Sequence, residues 1–418
     1  MRLRRRFRPV PAQSTPRRIL VVQLDHLGDA VLTSPLLTGG LAFPTARIDV
    51  LASPSNQEVF EADPNVDRVR VATRNWFARR RGHFAMLSAV VSLGRCLRDG
   101  QYDLGIDVRG DILTVFMMAL ARIPRRVGWS MGGGGFLLTD VAPWIPGRHE
   151  VRSRLALLDQ LGVQPDGPAR VLVHISDDDR LEIARRFRPS QPDPATTPRT
   201  AGALVSGVAA EPSSWDDGPA EKPVPNRERT TSFDEPDWLH AGRFGAETPL
   251  LAVHLGAGTL AKRWPLAHWN TLIDRFLDDG WRVIVIGGPD DAQVSADLPP
   301  RSNLDDWTGT LTVAQTAALL ERADLFIGAD SGPSHLAACA GVPSVVLFSG
   351  TNRASQWRPW SRRSLILKHH VPCRPCHEKI CPLADHPCMS GLDPDRVHRA
   401  ARRWWSRLHR QESPHAPV

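Results

Sequence analysis

Three short stretches carry ionisable side chains on glycine-containing loops that follow strand-like runs. In Asp25-His26-Leu27-Gly28-Asp29, Gly28 permits a tight turn and Asp29 stands at the start of a helix. A carboxylate in that place can take the proton from an attacking hydroxyl, although aspartate is also a favoured helix cap. In His254-Leu255-Gly256-Ala257-Gly258-Thr259-Leu260-Ala261-Lys262-Arg263-Trp264-Pro265, a lysine and an arginine stand over a glycine loop. One acts as a point charge and the other as a fork, a pair suited to a diphosphate, while Trp264 reads as packing beneath the loop. In Gly328-Ala329-Asp330-Ser331-Gly332-Pro333-Ser334-His335, a strand turns into a helix. Its N-terminal amides and dipole favour an anion, with Asp330 as a hydroxyl acceptor and His335 as a phosphate donor. A plain Asp/Ser helix cap is the competing reading of this third stretch.

A fourth constellation is Cys373-x2-Cys376-x4-Cys381-x6-Cys388, four of the six cysteines within one short segment. Four thiolates can hold zinc or iron tetrahedrally, and four reduced cysteines with two in the core are the alternative. The segment lies beyond the third stretch, so it is read as structural and not catalytic.

The elements that must position these residues alternate in type. Strand-like runs occur at 17–24, 48–51, 66–71, 102–108 and 126–128, with a helix expected at 30–37. A second series places strands at 250–255, 282–286, 324–328 and 344–348, and helices at 266–279, 312–322 and 334–340. This α/β alternation, repeated, predicts two Rossmann-like domains facing a cleft. The expected boundaries are a basic tail at 1–16, a first domain at 17–187, a Pro-rich, polar, disordered insertion or linker at 188–245, a second domain at 246–392, and a C-terminal helix and tail at 393–418. A short helix at 177–187 precedes the insertion. The helix near 397–410 is expected to pack on the body of the protein; a basic amphipathic helix on an anionic membrane is the alternative.

The chain has 418 residues and a formal charge of +7, which favours anionic partners such as nucleotide phosphates or anionic headgroups. No apolar run reaches the length of a membrane span, and no apolar h-region follows the basic start. A cytoplasmic location, with peripheral contact to the inner membrane, is therefore expected.

The runs RRILVVQLDHLGDAVLTSPLL, HLGAGTLAKRWPLAHW and IGADSGPSHLAACAGVPSVVLF together resemble glycosyltransferase family 9, the ADP-heptose:lipopolysaccharide heptosyltransferases. The likeness extends over 17–397 apart from the insertion after Phe187. It implies a GT-B fold, acceptor on the N-terminal domain, nucleotide sugar on the C-terminal one, and an inverting, metal-independent displacement. It places Asp29 on the general base, Lys262 on the lysine that contacts the donor diphosphate, and Asp330, Ser331, Gly332 and His335 on the donor motif. Gly256 and Arg263 fall with the donor loop, and Asp25, His26 and Gly28 with the acceptor loop. His26 replaces an arginine more usual in the family, which weakens one basic contact.

The leading expectation is transfer of a heptose or related sugar from an ADP-sugar to a lipid-linked cell-envelope glycan. A protein O-glycosyltransferase with the same donor and a non-catalytic nucleotide-sugar scaffold are the alternatives. Nucleic-acid binding is not expected, because no aromatic platform is interleaved with the basic ends.

Overall fold

The computed structural model describes residues 15–38, 43, 45–72, 83–164, 168–187, 222–223 and 248–412. Residues 1–14 of the basic tail and nearly all of the insertion lie outside these residues. Of the insertion, Lys222–Pro223 is described as a two-residue strand.

The first half builds one sheet from β1 (Arg18–Gln23), β2 (Arg47–Ala52), β3 (Arg68–Val71), β4 (Leu104–Asp107), β5 (Arg125–Trp129), β6 (Asp140–Ala142) and β7 (Lys222–Pro223). Its order is β6-β5-β4-β1-β2-β3-β7, parallel except for β7, which runs antiparallel on β3. The second half uses β8 (Leu250–His254), β9 (Arg282–Ile286), β10 (Leu304–Asp306), β11 (Leu325–Ala329), β12 (Ser344–Phe348) and β13 (Ser364–Lys368). The order here is β10-β9-β8-β11-β12-β13, and every pairing is parallel. Leaving β7 aside, both halves carry the doubly wound order 3-2-1-4-5-6, so this is an α/β protein of GT-B architecture. The central strands are continuous apolar runs because both faces are covered: Ile19 to Val22 and Leu251 to Val253 are completely buried.

In such sheets the crevice for a ligand opens where the strand order reverses, at the carboxyl ends of the strands. The reversal falls between β1 and β4 in one half and between β8 and β11 in the other. The loops after β1, β8 and β11 are those that carry the three chemical stretches.

The two halves share apolar contact. One continuous buried cluster takes Val21, Ala30 and Val31 from the first half together with Ala317, Leu320 and Leu336 from the second. At its rim two helix N-termini meet. The helix Leu27–Thr38 brings Gly28 against His335, and the helix Gly332–Cys339 brings Gly332 against Leu27. A Cβ on either glycine would lie 2.8 Å from a neighbouring side chain, so a substitution there would force that neighbour to shift.

Several boundaries differ from the expectation. The first helix begins at Leu27 instead of Ala30, because Ala30 N donates to His26 O and closes the turn early. Asp29 therefore lies within the first helical turn. The helix of the third stretch likewise starts at Gly332 instead of Ser334. β6, β10 and β13 were not foreseen, and all three are sheet edges where one side stays wet. The helix Pro394–Glu412 packs on the body: Val397 and Ala401 are fully buried, and the Trp405 ring meets Trp281 edge-on at 5.1 Å.

Candidate active site

A cavity of about 520 Å³ lies between the halves, at the carboxyl ends of both sheets. Asp29, His26 and Gly28 reach it from the first half; Lys262, Arg263, Asp330, Ser331, Gly332 and His335 reach it from the second. Residues more than two hundred positions apart thus share one space.

Asp29 is held by an arginine. Arg154, on the helix Glu150–Asp159, donates from Nη2 to Asp29 Oδ1 at 2.9 Å and from Nη1 to Glu150 Oε2 at 2.9 Å. Glu150 Oε1 in turn accepts from Gln356 Nε2 of the second half at 2.7 Å. Arg154 and Glu150 are buried, at 2% and 5% exposure, whereas Asp29 keeps 17% and faces the cavity. A buried guanidinium between two carboxylates loses its hydration and regains it as two charge-assisted bonds, which fix the direction of the Asp29 carboxyl. Burial pushes the Glu150 carboxyl above its usual range, against the pull of Arg154.

Asp25 does not reach the cavity wall. It pairs with Arg109 of the loop after β4, Nη1 to Oδ1, at 2.7 Å. Burial, then the neighbouring Asp29, raise its pKa to about 6. Arg109 thus brings a guanidinium to the loop that carries His26. Burial lowers the pKa of His26 itself.

On the opposite wall Lys262 Nζ donates to Asp330 Oδ2 at 2.8 Å and to Asp330 O at 3.2 Å. Asn352 Nδ2 donates to the same Oδ2 at 3.0 Å. Asp330 is only 4% exposed, so it lies beneath Lys262, anchoring the ammonium, while Lys262 keeps 20% exposure. Ser331 takes the N-cap position without capping: its hydroxyl donates to Ala329 O and contacts His254 Nδ1 at 3.1 Å. No side chain caps this helix, so its first amides point at the cavity, where an anion can accept from them. His335 is buried, and that burial lowers its pKa to about 4, so at neutral pH it is an uncharged imidazole.

Gly256 has a different use from the one expected of a phosphate loop. A Cβ there would lie 1.8 Å from Asp291 Oδ1, so the glycine makes room for Asp291 and does not line the cavity. Asp291 Oδ2 meets His254 Nε2 at 3.0 Å and accepts from Gly288 N at 3.0 Å. Burial alone would raise the Asp291 pKa, but His254, the Gly288 amide and the Arg263 charge together hold the carboxyl low. Trp264 packs under the loop as expected, at 3% exposure, with Nε1 donating to Leu392 O.

The sequence reading missed Arg154, Glu150, Gln356, Arg109, His254, Asp291 and Asn352. Glu150 and Arg154 are spaced i, i+4 on a helix, a pattern that usually marks a solvated surface pair. His254 stood inside a quoted motif, as the last residue of a buried strand, and that was a usable signal.

At the four cysteines the sequence leaves open a structural metal or four reduced thiols. Cys373 is exposed, Cys376 and Cys381 are half-buried, and Cys388 is sunk in the apolar cluster beneath the C-terminal helix. Among the described residues no three His, Cys, Asp or Glu side chains are arranged to hold a metal. Burial, and then the neighbouring thiols, push the Cys388 thiol up. The segment instead braces the site: Ala261 N donates to Lys379 O, His386 Nε2 meets Ala261 O at 3.0 Å, and Cys376 N donates to Gly350 O. It thus holds the loops of Lys262 and Asn352 from behind.

Residues 207–386 match the family model described as glycosyltransferase family 9 (heptosyltransferase). Lipopolysaccharide heptosyltransferase 3 of Escherichia coli is 23% identical over 351 residues, 81% of this chain and 85% of the relative. Lipopolysaccharide heptosyltransferase 1 of Pseudomonas aeruginosa is 24% identical over 412 residues, 91% of this chain and 96% of the relative. The chain thus resembles the heptosyltransferases of glycosyltransferase family 9 along most of its length. A solved structure of E. coli ADP-heptose LPS heptosyltransferase II shares the fold with a TM-score of 0.65 and 18% identity, covering 94% of this chain and 99% of that one. The family-model match and the two curated relatives make the protein a glycosyltransferase. No helix among its described residues is long and apolar enough to cross a membrane.

Proposed function

We propose that this enzyme transfers a heptose, or a closely related sugar, from an ADP-sugar to a hydroxyl of a lipopolysaccharide-type or other cell-envelope glycan. The observation that carries the reading is the meeting of Asp29 and Lys262, from opposite halves, in one cavity. The names of the two relatives with full-length likeness supply the sugar and the acceptor class.

In this reading the nucleotide diphosphate lies along the second half, its phosphates over the open N-terminus of the helix Gly332–Cys339. Lys262, resting on Asp330, turns its remaining donors to the phosphate oxygens, and Arg263 stands next to it. The acceptor hydroxyl approaches from the first half. Its oxygen bonds to the anomeric carbon from the face opposite the phosphate while Asp29 takes its proton, so the configuration inverts. As the bond from carbon to phosphate oxygen breaks, the electron pair leaves with the nucleotide diphosphate. The growing charge meets the ammonium and the helix amides, already oriented before the reaction begins. Arg154 keeps the Asp29 carboxyl aimed at the acceptor side. Asp29 gives its proton to water after the products leave. The lipid-linked acceptor places this reaction at the cytoplasmic face of the inner membrane.

Calorimetric titration with ADP, ADP-heptose and a UDP-sugar tests the donor. Binding of the two adenine compounds, weakened about tenfold or more in Lys262→Ala, is expected from loss of a charge-assisted contact. Binding of the UDP-sugar alone would discard heptose and ADP while leaving the enzyme class intact.

A further inference from the structure

A second cavity, of about 850 Å³, is larger than the donor cavity and shares none of its lining residues. The short helix Ala354–Trp357 stands between them, with Ala354 and Ser355 on the wall of one and Trp357 on the wall of the other. Four cations line the second cavity: Arg148 and Arg152 from the first half, Arg358 and Lys368 from the second. Asp159 is the only acidic side chain among its lining residues. None of the four cations forms an ion pair among the described residues. Arg152 lies over the Trp360 ring at 5.7 Å, and Trp360 is fixed by its Nε1 donating to Ala169 O at 2.8 Å. His149 adds no charge: Nδ1 accepts from Val151 N, Nε2 donates to Arg358 O at 2.9 Å, and burial lowers its pKa to about 4.

Four like charges around one concavity repel one another, and a low-dielectric wall focuses their field on whatever enters. An anion with several charged groups would offset that repulsion. Arginine forks bind phosphate and carboxylate oxygens in pairs, and the Trp360 face offers an apolar wall beside them. The placement of the cations also has a consequence for closure, since they come from both halves. A bridging anion would hold the halves together next to the contacts of Gln356 with Glu150 and of His149 with the Arg358 carbonyl.

We propose that this cavity is a second binding site, for a ligand carrying at least two phosphate or carboxylate groups, separate from the nucleotide-sugar site. A phosphorylated glycan and a cluster of anionic lipid headgroups present the same chemistry. Whichever sugar is transferred, the site stands on its own residues.

Full-length protein saturated with ADP, to fill the donor cavity, would be titrated calorimetrically with sodium tripolyphosphate. One ion per chain is expected to bind, more weakly as salt is added. In Arg152→Glu/Arg358→Glu the affinity is expected to fall about tenfold or more, since two forks become repulsive. ADP affinity should be unchanged in that variant, which also reports that it is folded; Lys368→Gln supplies a milder second variant. Vesicles of phosphatidylglycerol against phosphatidylcholine distinguish the sources. Capture of the wild type, but not the double variant, by anionic vesicles would assign the site to headgroups. Tripolyphosphate binding without vesicle capture would assign it to a soluble or glycan-borne phosphate. No binding by the wild type, or equal binding by the folded double variant, would overturn the proposal.

Discussion

At the scale of single residues, the chain Asp29–Arg154–Glu150–Gln356 ties the reacting side of the cavity to the opposite half through three consecutive bonds. Arg154→Met removes the charge that compensates two carboxylates, one of them buried. A loss of about 3–5 kcal/mol of stability is expected, read as a lowered denaturant midpoint. An unchanged midpoint would mean that water compensates the pair. Gly256→Ala would drive Asp291 from His254, with an expected loss of about 1–3 kcal/mol and weakened donor binding. Asp25 gives a pH-dependent effect. Its pKa is raised to about 6 from 3.8, so between those values the folded chain holds a proton that the unfolded chain has lost. That contribution is full below pH 3.8 and is lost as pH rises through 6, at most about 3 kcal/mol. Asp25→Asn should therefore remove a decline in stability between pH 4 and 6, measurable as melting temperature against pH. The residues with a motif, Asp29, Lys262 and His335, were legible in the sequence because each follows a recognisable strand and glycine loop. Arg154 and Asn352 were not, because their importance comes from burial and from partners far along the chain.

At the scale of elements, the helices that open at Leu27 and Gly332 do the positioning, and their glycines let the two termini touch. Central strands were readable to within a residue or two, since burial on both faces demands unbroken apolar runs. Edge strands were less so: β6 and β10 have three residues each, and β10 carries two carboxylates. β13 holds Leu365, Ile366 and Leu367, and its apolar pattern was a signal left unused. The C-terminal helix seals the outer face of the second sheet through Val397 and Ala401. Val397→Asp buries an unpaired carboxyl there and should cost about 3 kcal/mol or more, seen as a lowered melting temperature. A neutral outcome would show that this helix is detachable. In the cysteine segment, spacing left ligation and free thiols open, and its contacts brace the loop of Lys262 from behind.

At the scale of the whole molecule, two doubly wound halves turn the carboxyl ends of their strands toward one cleft, and the chemistry is divided between them. The first half supplies Asp29 and the second supplies Lys262 with the open helix terminus. That division follows from repeated topology, which the sequence announced through its two α/β series. The closeness of the halves was not announced, since it depends on Gly28 and Gly332 having no side chain to keep them apart. The most direct measurement of the account is the rate of sugar transfer from ADP-heptose to a heptose-lacking lipopolysaccharide acceptor, by wild type and by Asp29→Asn. Transfer by the wild type, reduced about a hundredfold or more in the variant with ADP affinity unchanged, is the result expected of a general base. Turnover by the variant within about tenfold of the wild type would contradict the assignment of Asp29.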